Sequence, residues 1–279
     1  MIATEDSPAS RATERPALDV AGRQIGGEHF AVIAGPCAVE SREQTLETAQ
    51  AVAAAGATLL RGGAFKPRTS PYSFRGLGRE ALEVLREAKL QTGLPVVTEV
   101  MDPRELDAVL EVADVIQIGS RNMQNYPLLE EAGRHRAPVL LKRGLSSTLE
   151  ELLMSAEYVL KEGNRSVMLC ERGIRTFEPA YRFTLDLTAV PVLQEMTDLP
   201  VIVDPSHAAG RRELVGPLSL AAAAAGADGL IVEVHPRPEE AMCDGPQALP
   251  TAGFAAYVEQ VRAAAALAGK TLSGAEEPA

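Results

Sequence analysis

Short apolar segments alternate with longer segments of helical periodicity along this chain, and the alternation repeats about eight times. Each apolar segment is rich in β-branched residues and is bounded by glycine, proline or polar residues, as strands buried in a parallel sheet usually are. The predicted strands are Phe30–Gly35, Thr58–Gly62, Pro95–Val100, Val115–Gly119, Pro138–Lys142, Val167–Glu171, Pro200–Asp204 and Gly229–Val234.

Segments in which apolar residues recur at helical spacing lie between these strands. The clearest are Ser41–Ala55, Arg79–Thr92, Ser147–Lys161 and Arg211–Ala225. Ser41 and Gln44 have the spacing of a capping box at the start of the first helix. Eight strand–helix units predict an α/β protein that folds as a single-domain (β/α)8 TIM barrel, for which 279 residues suffice. A doubly wound open sheet is the main alternative.

The two ends of the chain differ in composition from the predicted barrel at 31–270. Residues 1–17 are rich in Ser, Pro and charge, and we expect them to be disordered, as we expect of the tail at 271–279. Residues 18–30 contain the pair Gly26 and Gly27 and predict a small β-hairpin that closes the bottom of the barrel.

Composition excludes several classes of protein. A formal net charge of −11 and a pI near 5.0 argue against nucleic-acid and anionic-membrane partners, which both need a basic surface. The sequence has no run of roughly 18 apolar residues and no signal-peptide core. Its three cysteines are too few for a disulfide framework, so we expect a cytoplasmic protein.

A basic segment extends from residue 61 to residue 79 in this acidic protein. It carries five cationic side chains and no carboxylate, which costs self-repulsion and therefore favours a strongly anionic ligand. Glycines, Thr69 and Ser70 add N–H and hydroxyl groups that suit phosphate oxygens. A solvated basic loop is the alternative, but the prolines stiffen the segment as a binding loop requires.

Reactive side chains stand at or just after the end of every predicted strand. In chain order they are Cys37, Arg61, Lys66, Glu99, Arg121, Lys142, Arg172, His207 and Glu233. Barrel enzymes carry their active sites at the C-terminal ends of the strands, so these residues predict one active site.

Part of this ring has the chemistry of a metal site. Cys37, His207 and Glu233 would converge at the mouth of the barrel, and Asp244 lies on the loop after the last strand. Thiolate, imidazole and carboxylate ligands suit one divalent ion, which could be Mn²⁺, Fe²⁺, Co²⁺ or Zn²⁺. Taken alone, Cys37 would be read as a small buried hydrophobe and His207 as a structural residue. We interpret Cys170 and Cys243 as core or loop thiols.

The rest of the ring is cationic. Its members are Arg61, Lys66, Arg68, Arg121, Lys142 and Arg172. Burying so many charges without compensation would be prohibitive, so we expect a multiply charged ligand to neutralise them. One or two of them are expected to pair instead with barrel acids such as Glu99, Glu171 or Asp204.

Seven motifs in this order resemble those of the 3-deoxy-D-arabino-heptulosonate 7-phosphate (DAHP) synthase family. They are IAGPCAVES (33–41), FKPRTS (65–70), QIGSRNMQ (117–124), LKRG (141–144), CERGIRTF (170–177), DPSH (204–207) and EVH (233–235). The resemblance implies a metal-dependent condensation of phosphoenolpyruvate with erythrose 4-phosphate, the first step of the shikimate pathway of aromatic amino acid biosynthesis.

The resemblance also implies roles for individual residues. Phosphoenolpyruvate would be bound by Arg61, Lys66, Ser120, Arg121, Lys142 and Arg172. Erythrose 4-phosphate would be bound by Arg68, Thr69, Ser70 and Asp204. The metal ligands would be Cys37, His207, Glu233 and Asp244, and the catalytic set would be Lys142, Cys37, His207 and Glu99. The group that activates the attacking water is open between Lys142, Glu99 and a metal-bound water.

Two alternatives to this function are kept. The sister enzyme 3-deoxy-D-manno-octulosonate 8-phosphate synthase, which uses arabinose 5-phosphate, shares several motifs, but an Ala-Asn version follows its lysine where this chain has KPRTS (66–70). The second alternative is an inactive barrel that serves as a partner-binding scaffold, against which the intact reactive ring argues.

Assembly and regulation are expected by resemblance as well. We expect the barrel-only form of the family, without a fused regulatory domain and not inhibited on its own by aromatic amino acids. A homodimer or homotetramer is expected, and a separate chorismate mutase could act as a regulator. If Cys243 lies close to Cys37, oxidation could join the two and expel the metal.

Overall fold

Eight parallel strands form a closed barrel in the computed structural model of the chain, which describes residues 15–66, Ser70 and residues 72–274. The described residues form these eight strands and four short ones outside the closed barrel. In chain order they are β1 (Leu18–Val20), β2 (Arg23–Ile25), β3 (His29–Gly35), β4 (Leu59–Arg61), β5 (Val96–Val100), β6 (Val115–Ile118), β7 (Val139–Lys142), β8 (Val167–Glu171), β9 (Val201–Val203), β10 (Gly229–His235), β11 (Leu249–Pro250) and β12 (Thr271–Leu272). Strands β3 to β10 pair in chain order, and β10 pairs in turn with β3, which closes the barrel. The predicted TIM barrel is therefore confirmed.

Helices connect the barrel strands and cover the outside of the barrel. They are α1 (Arg42–Ala54), α2 (Arg79–Thr92), α3 (Leu106–Leu110), α4 (Tyr126–Arg134), α5 (Leu149–Leu160), α6 (Ala189–Met196), α7 (Pro205–Ala209), α8 (Arg212–Ala224) and α9 (Phe254–Leu267). Short 3₁₀ turns occupy Pro103–Glu105, Ser120–Asn122, Pro238–Glu240 and Gly245–Gln247. Within the described residues, no helix is long and apolar enough to cross a membrane.

Half of the capping box that the sequence predicts at α1 is present. The Ser41 side chain accepts a hydrogen bond from the Gln44 backbone N–H at 3.1 Å. The Gln44 side-chain oxygen, however, accepts from the backbone N–H of Glu40 rather than from that of Ser41. A complete, reciprocal capping box is found at α5, between Thr148 and Glu151.

The buried strands divide their side chains between two cores. On β3, Ala31 and Ile33 point into the barrel, whereas Phe30 and Val32 pack against the surrounding helices. This alternation with period two explains why the strand sequences are apolar throughout. The hairpin of β1 and β2 adds Val20 and Ile25 to the inner core, so it covers the bottom of the barrel as expected.

The segments that flank the predicted barrel on both sides are more ordered than the sequence predicts. Arg15, expected within a disordered segment, is buried and forms an ion pair with Asp228 at 3.1 Å. Thr271 and Leu272, expected within a disordered tail, form β12 beside the first residues of β3. The cause is burial at the bottom of the barrel, where these short flanking segments find partners that composition does not reveal. Residues 1–14 and 275–279 lie outside the described part of the chain.

Candidate active site

A polar cavity of about 290 Å³ opens at the C-terminal ends of the barrel strands. It is lined by Arg61, Lys66, Ser70, Ser73, Glu99, Gln117, Gly119, Ser120, Arg121, Lys142, Leu145, Arg172, Arg182, Phe183, His207 and Asp244. Six of these side chains are cationic and two are carboxylates, so the cavity has a strong excess of positive charge. Such a cavity suits a small, multiply charged anion.

The four predicted metal ligands come together at one side of this cavity. Cys37 follows β3, His207 lies in α7, Glu233 is on β10, and Asp244 precedes the turn at Gly245–Gln247. Ligand atoms from all four lie within 4.8 Å of one another. One sulfur, one imidazole nitrogen and two carboxylates fit a divalent first-row transition metal.

The turn from β9 into α7 sets the orientation of His207. Asp204 caps this helix and accepts a hydrogen bond from the His207 backbone N–H at 2.9 Å. The same carboxylate lies 2.7 Å from Nδ1 of the His207 ring, which leaves Nε2 to face Glu233 at 3.2 Å. A carboxylate behind a histidine fixes the ring tautomer and presents the other nitrogen for metal ligation.

The loop that carries Asp244 has a constrained backbone. Asp244 has a φ of 54° in the left-handed region, which aspartate adopts more readily than most residues. The next residue, Gly245, has no room for a side chain, because a Cβ atom there would lie 2.3 Å from the carbonyl oxygen of Pro238. A further restraint comes from Glu40, which accepts from the Met242 backbone N–H at 2.9 Å.

Burial and charge tune the protonation of these groups. Burial would raise the pKa of Glu233, but His207 and Arg61 beside it hold that pKa well below the usual range. Burial lowers the pKa of His207, which favours the neutral imidazole that metal ligation needs. Burial also raises the pKa of the Cys37 thiol, so a bound metal would have to displace its proton.

Two of the predicted cations are paired with acids. Arg61 donates to Glu233 at 2.7 Å, and Lys142 forms an ion pair with Asp204. Of these acids Asp204 was anticipated as a pairing partner, whereas Glu233 was anticipated only as a metal ligand. The pairing therefore links the cationic ring to the metal-ligand group.

Two other cations are buried without a carboxylate. Within the described residues, Lys66 donates to the carbonyl oxygen of Cys37 at 3.0 Å and forms no ion pair. Arg172 donates to the carbonyl oxygens of Gly173 and His207 and lies over the Phe183 ring at 4.4 Å, again without an acidic partner. Both are less than a tenth exposed, so an anion entering the cavity would supply the missing charge.

The remaining predicted residues have different positions. Ser70, Ser120 and Arg121 line the cavity, as does Glu99, whose carboxylate accepts from Gln117 at 3.3 Å. Close packing against Glu99 requires the glycine at position 119, where a Cβ atom would lie 2.1 Å from its carboxylate oxygen. Arg68 and Thr69 lie outside the described residues.

The sequence reasoning missed several residues of this site. Gln117 was detectable, because it is a polar residue inside an otherwise apolar strand. Arg182 and Phe183 lie on the irregular loop between β8 and α6, and Gln247 is the last residue of the turn at Gly245–Gln247. Hydrophobic periodicity gave no signal for these three residues.

The two cysteines of the oxidation hypothesis are neighbours. The Sγ atoms of Cys37 and Cys243 lie 3.2 Å apart, and both residues are buried. Cys243 thus belongs to the surroundings of the metal-ligand group, whereas Cys170 lies in the core inside the barrel.

Comparison with known proteins gives a consistent result. The chain is 54% identical over 249 residues to a phospho-2-dehydro-3-deoxyheptonate aldolase of Thermotoga maritima, covering 89% of this chain and 74% of that protein. A crystal structure of this enzyme from T. maritima, described as a DAHP synthase, superposes with a TM-score of 0.89 at 52% identity, covering 92% of this chain and 76% of that one. A truncated form of the T. maritima synthase superposes with a TM-score of 0.86 at 49% identity, covering 92% of this chain and 94% of that one.

More distant relatives carry a different name. A 2-dehydro-3-deoxyphosphooctonate aldolase of Syntrophotalea carbinolica is 35% identical over 252 residues, covering 84% of this chain and 90% of that protein. The profile of the DAHP synthetase I family matches residues 11–266, which include every barrel strand and the whole cavity. The chain therefore belongs to the DAHP synthetase I family.

Proposed function

We propose that this enzyme condenses phosphoenolpyruvate with D-erythrose 4-phosphate and water, giving 3-deoxy-D-arabino-heptulosonate 7-phosphate and inorganic phosphate. Membership of the family already makes it an enzyme that forms a C–C bond. The observation that carries the fuller assignment is the juxtaposition of two buried cations with the group of Cys37, His207, Glu233 and Asp244. These cations, Lys66 and Arg172, have no acidic partner among the residues that the structure describes.

Phosphoenolpyruvate is the donor that the cationic side of the cavity suits. Arg121, Lys142 and Arg172 would take its phosphate, while Arg61 and Lys66 would take its carboxylate. The phosphate of the acceptor would be held by Arg68, Thr69 and Ser70, and its hydroxyls would lie near Asp204. Holding two anions side by side is costly in water, and fixed cations offset that repulsion.

The four ligands Cys37, His207, Glu233 and Asp244 would hold one divalent ion. When bound, the ion supplies Lewis-acid polarisation of the acceptor aldehyde. Mn²⁺ is our first candidate, and Fe²⁺, Co²⁺ or Zn²⁺ fit the same donor set.

The side chains of the cavity would carry the remaining steps. The cations would hold the donor so that its C3 faces the aldehyde, and the C–C bond forms as positive charge develops at C2. Water then adds at C2, and cleavage of the C–O bond releases phosphate. Lys142 and Glu99 face the same cavity and are our candidates for moving the proton of that water.

The sister reaction with arabinose 5-phosphate is the second candidate, because octonate aldolases are also relatives. Identity favours the heptulosonate reaction, at 54% against 35%. The test is a competition assay with both sugar phosphates and purified enzyme, with phosphate release and product mass as readouts. We expect turnover of erythrose 4-phosphate to dominate. Faster turnover of arabinose 5-phosphate would replace this assignment, and no phosphate release from either sugar would favour the inactive scaffold.

The cellular setting completes the proposal. We place the enzyme in the cytoplasm as a homo-oligomer, a dimer or a homotetramer, with a separate chorismate mutase as a candidate regulator. These statements rest on the sequence resemblance, and sizing of the purified enzyme with and without that partner would test them.

A further inference from the structure

The two oxygens of the Glu233 carboxylate have different partners. Oε1 accepts from Arg61 at 2.7 Å and lies 3.2 Å from Nε2 of His207, so it faces the metal-ligand group. Oε2 accepts from the side-chain amide of Gln247 at 2.6 Å. Arg61 thus holds one oxygen of the carboxylate, and Gln247 holds the other.

The orientation of the Gln247 amide is fixed by chemistry. Its oxygen accepts from Nη1 of Arg182 at 3.0 Å, and a guanidinium can only donate. Its nitrogen therefore faces Glu233, which as a carboxylate can only accept. Gln247 is 2% exposed and is not among the residues that line the described cavity, so its effect on the site passes through its partners Glu233 and Arg182.

We propose that Gln247 is a positioning residue for the metal ligand Glu233, an inference that rests on the metal site of the proposed function. By engaging Oε2, the amide restrains rotation of the carboxylate and keeps Oε1 beside Nε2 of His207. Arg182 holds the amide in this orientation and also reaches Asp244 at 3.5 Å, so a chain of contacts supports two of the four ligands.

The substitution Gln247→Met tests this role, because methionine keeps the length of the side chain and removes the amide donor. Partners of metal ligands typically contribute 10- to 100-fold to metal affinity. We expect Mn²⁺ to bind the metal-free variant about 10- to 100-fold more weakly than the metal-free wild type, as measured by calorimetry. The absorption bands of the Co²⁺-loaded variant should also shift, since they report ligand geometry.

Gln194→Met is the matched control. Gln194 is a partly buried glutamine that donates to the carbonyl oxygen of Gly226 at 2.8 Å, near the bottom of the barrel. Its replacement removes a comparable hydrogen bond and should leave Mn²⁺ affinity within twofold of the wild type. For Gln247→Met, the thermal midpoint and the affinity of the metal-free protein for phosphoenolpyruvate should also stay close to wild type.

The outcomes separate the two ideas. If the wild type binds no Mn²⁺, or if His207→Ala binds Mn²⁺ as tightly as the wild type does, the proposed metal site is overturned. If the wild type binds Mn²⁺ and His207→Ala does not, while Gln247→Met binds within twofold and keeps the Co²⁺ spectrum, the positioning role is overturned. A variant that loses fold stability and phosphoenolpyruvate affinity together with Mn²⁺ would also overturn it in favour of a general structural role.

Discussion

At the scale of single residues, two buried arginines at neighbouring strand ends differ in the groups that compensate their charge. Arg143 follows β7 and donates to Glu171 and to Asp186, each at 2.9 Å. Arg172 follows β8 and, within the described residues, has only carbonyl oxygens and the Phe183 ring as partners. Burial accordingly lowers the pKa of Arg172. Each is 5% exposed, so the difference between them lies in their partners.

This contrast predicts a separation of stability from binding. Arg172→Met removes a buried charge that has no acidic partner in the described part of the chain, so the free energy of unfolding should be unchanged or higher. Affinity for phosphoenolpyruvate should fall by roughly 10- to 150-fold, the equivalent of one or more charged hydrogen bonds. Urea unfolding and calorimetric binding measure the two effects.

Arg143→Met is the control for this prediction. It removes the partner of the buried Glu171 and should reduce the free energy of unfolding by about 3–5 kcal/mol. Equal destabilisation by the two substitutions, or undiminished binding in Arg172→Met, would contradict the interpretation of Arg172 as a ligand-binding cation.

At the scale of elements, the loop from β8 to α6 shapes one wall of the cavity. Its two halves are joined by backbone hydrogen bonds between Ile174 and Thr184. Near its start, Gly173 has a φ of 88°, and a Cβ atom there would lie 2.8 Å from Cβ of Phe183 and 2.9 Å from Cβ of Ala208. Glycine at this position therefore lets Phe183 pack closely enough to lie over Arg172.

Substitution of this glycine should affect both the fold and the site. Gly173→Ala combines an unfavourable φ with close contacts, and we expect it to reduce the free energy of unfolding by about 2–4 kcal/mol. Because Phe183 must move, affinity for phosphoenolpyruvate should fall as well. Chemical unfolding and calorimetric binding are the measurements.

Gly56→Ala provides a matched control for this loop. Gly56 has a φ of 85°, but no atom lies within 4 Å of its would-be Cβ. This substitution should reduce the free energy of unfolding by only about 1 kcal/mol and should leave the affinity for phosphoenolpyruvate unchanged. If Gly173→Ala and Gly56→Ala reduce the free energy of unfolding equally, packing of the loop against Phe183 does not depend on Gly173.

The strands, and the site residues attached to them, could be predicted from the sequence. Eight apolar segments imply parallel strands, and parallel strands in a barrel place all their C-terminal ends on one rim. The convergence of Cys37, His207 and Glu233 on one rim follows from that rule.

The rest depends on contacts that have no periodic signal. Arg182 and Gln247 reach the site from irregular loops. The ion pair of Arg61 with Glu233 depends on closure of the barrel, which places β4 and β10 on either side of β3. The ordered Arg15 depends likewise on a distant partner, Asp228.

At the scale of the whole molecule, two aspartates occupy equivalent places in the barrel with different surroundings. Asp228 precedes β10 and accepts from the first backbone N–H of β9 at 2.7 Å, while Asp114 precedes β6 and accepts from that of β5 at 2.8 Å. Asp228 is fully buried and also binds Arg15 and Lys270, which belong to the two ends of the described chain. Asp114 has one ion pair among the described residues, with the partly exposed Lys89, and its side chain is 19% exposed.

Asp228→Asn should therefore destabilise the barrel without changing its chemistry. Asparagine can still accept from the β9 backbone, but it leaves the charges of Arg15 and Lys270 buried and uncompensated, at a cost of about 3–5 kcal/mol in the free energy of unfolding. Asp114→Asn, a loss of one partly exposed ion pair, should cost about 1 kcal/mol or less. Below its unfolding transition, Asp228→Asn should keep a wild-type kcat, because the cavity is at the opposite end of the barrel. Urea unfolding and steady-state kinetics on both variants measure these effects.

Equal losses of stability in the two variants would show that the contacts of Asp228 with the chain ends add nothing to the stability of the barrel. A reduced kcat in a folded Asp228→Asn variant would show that these contacts act on the site.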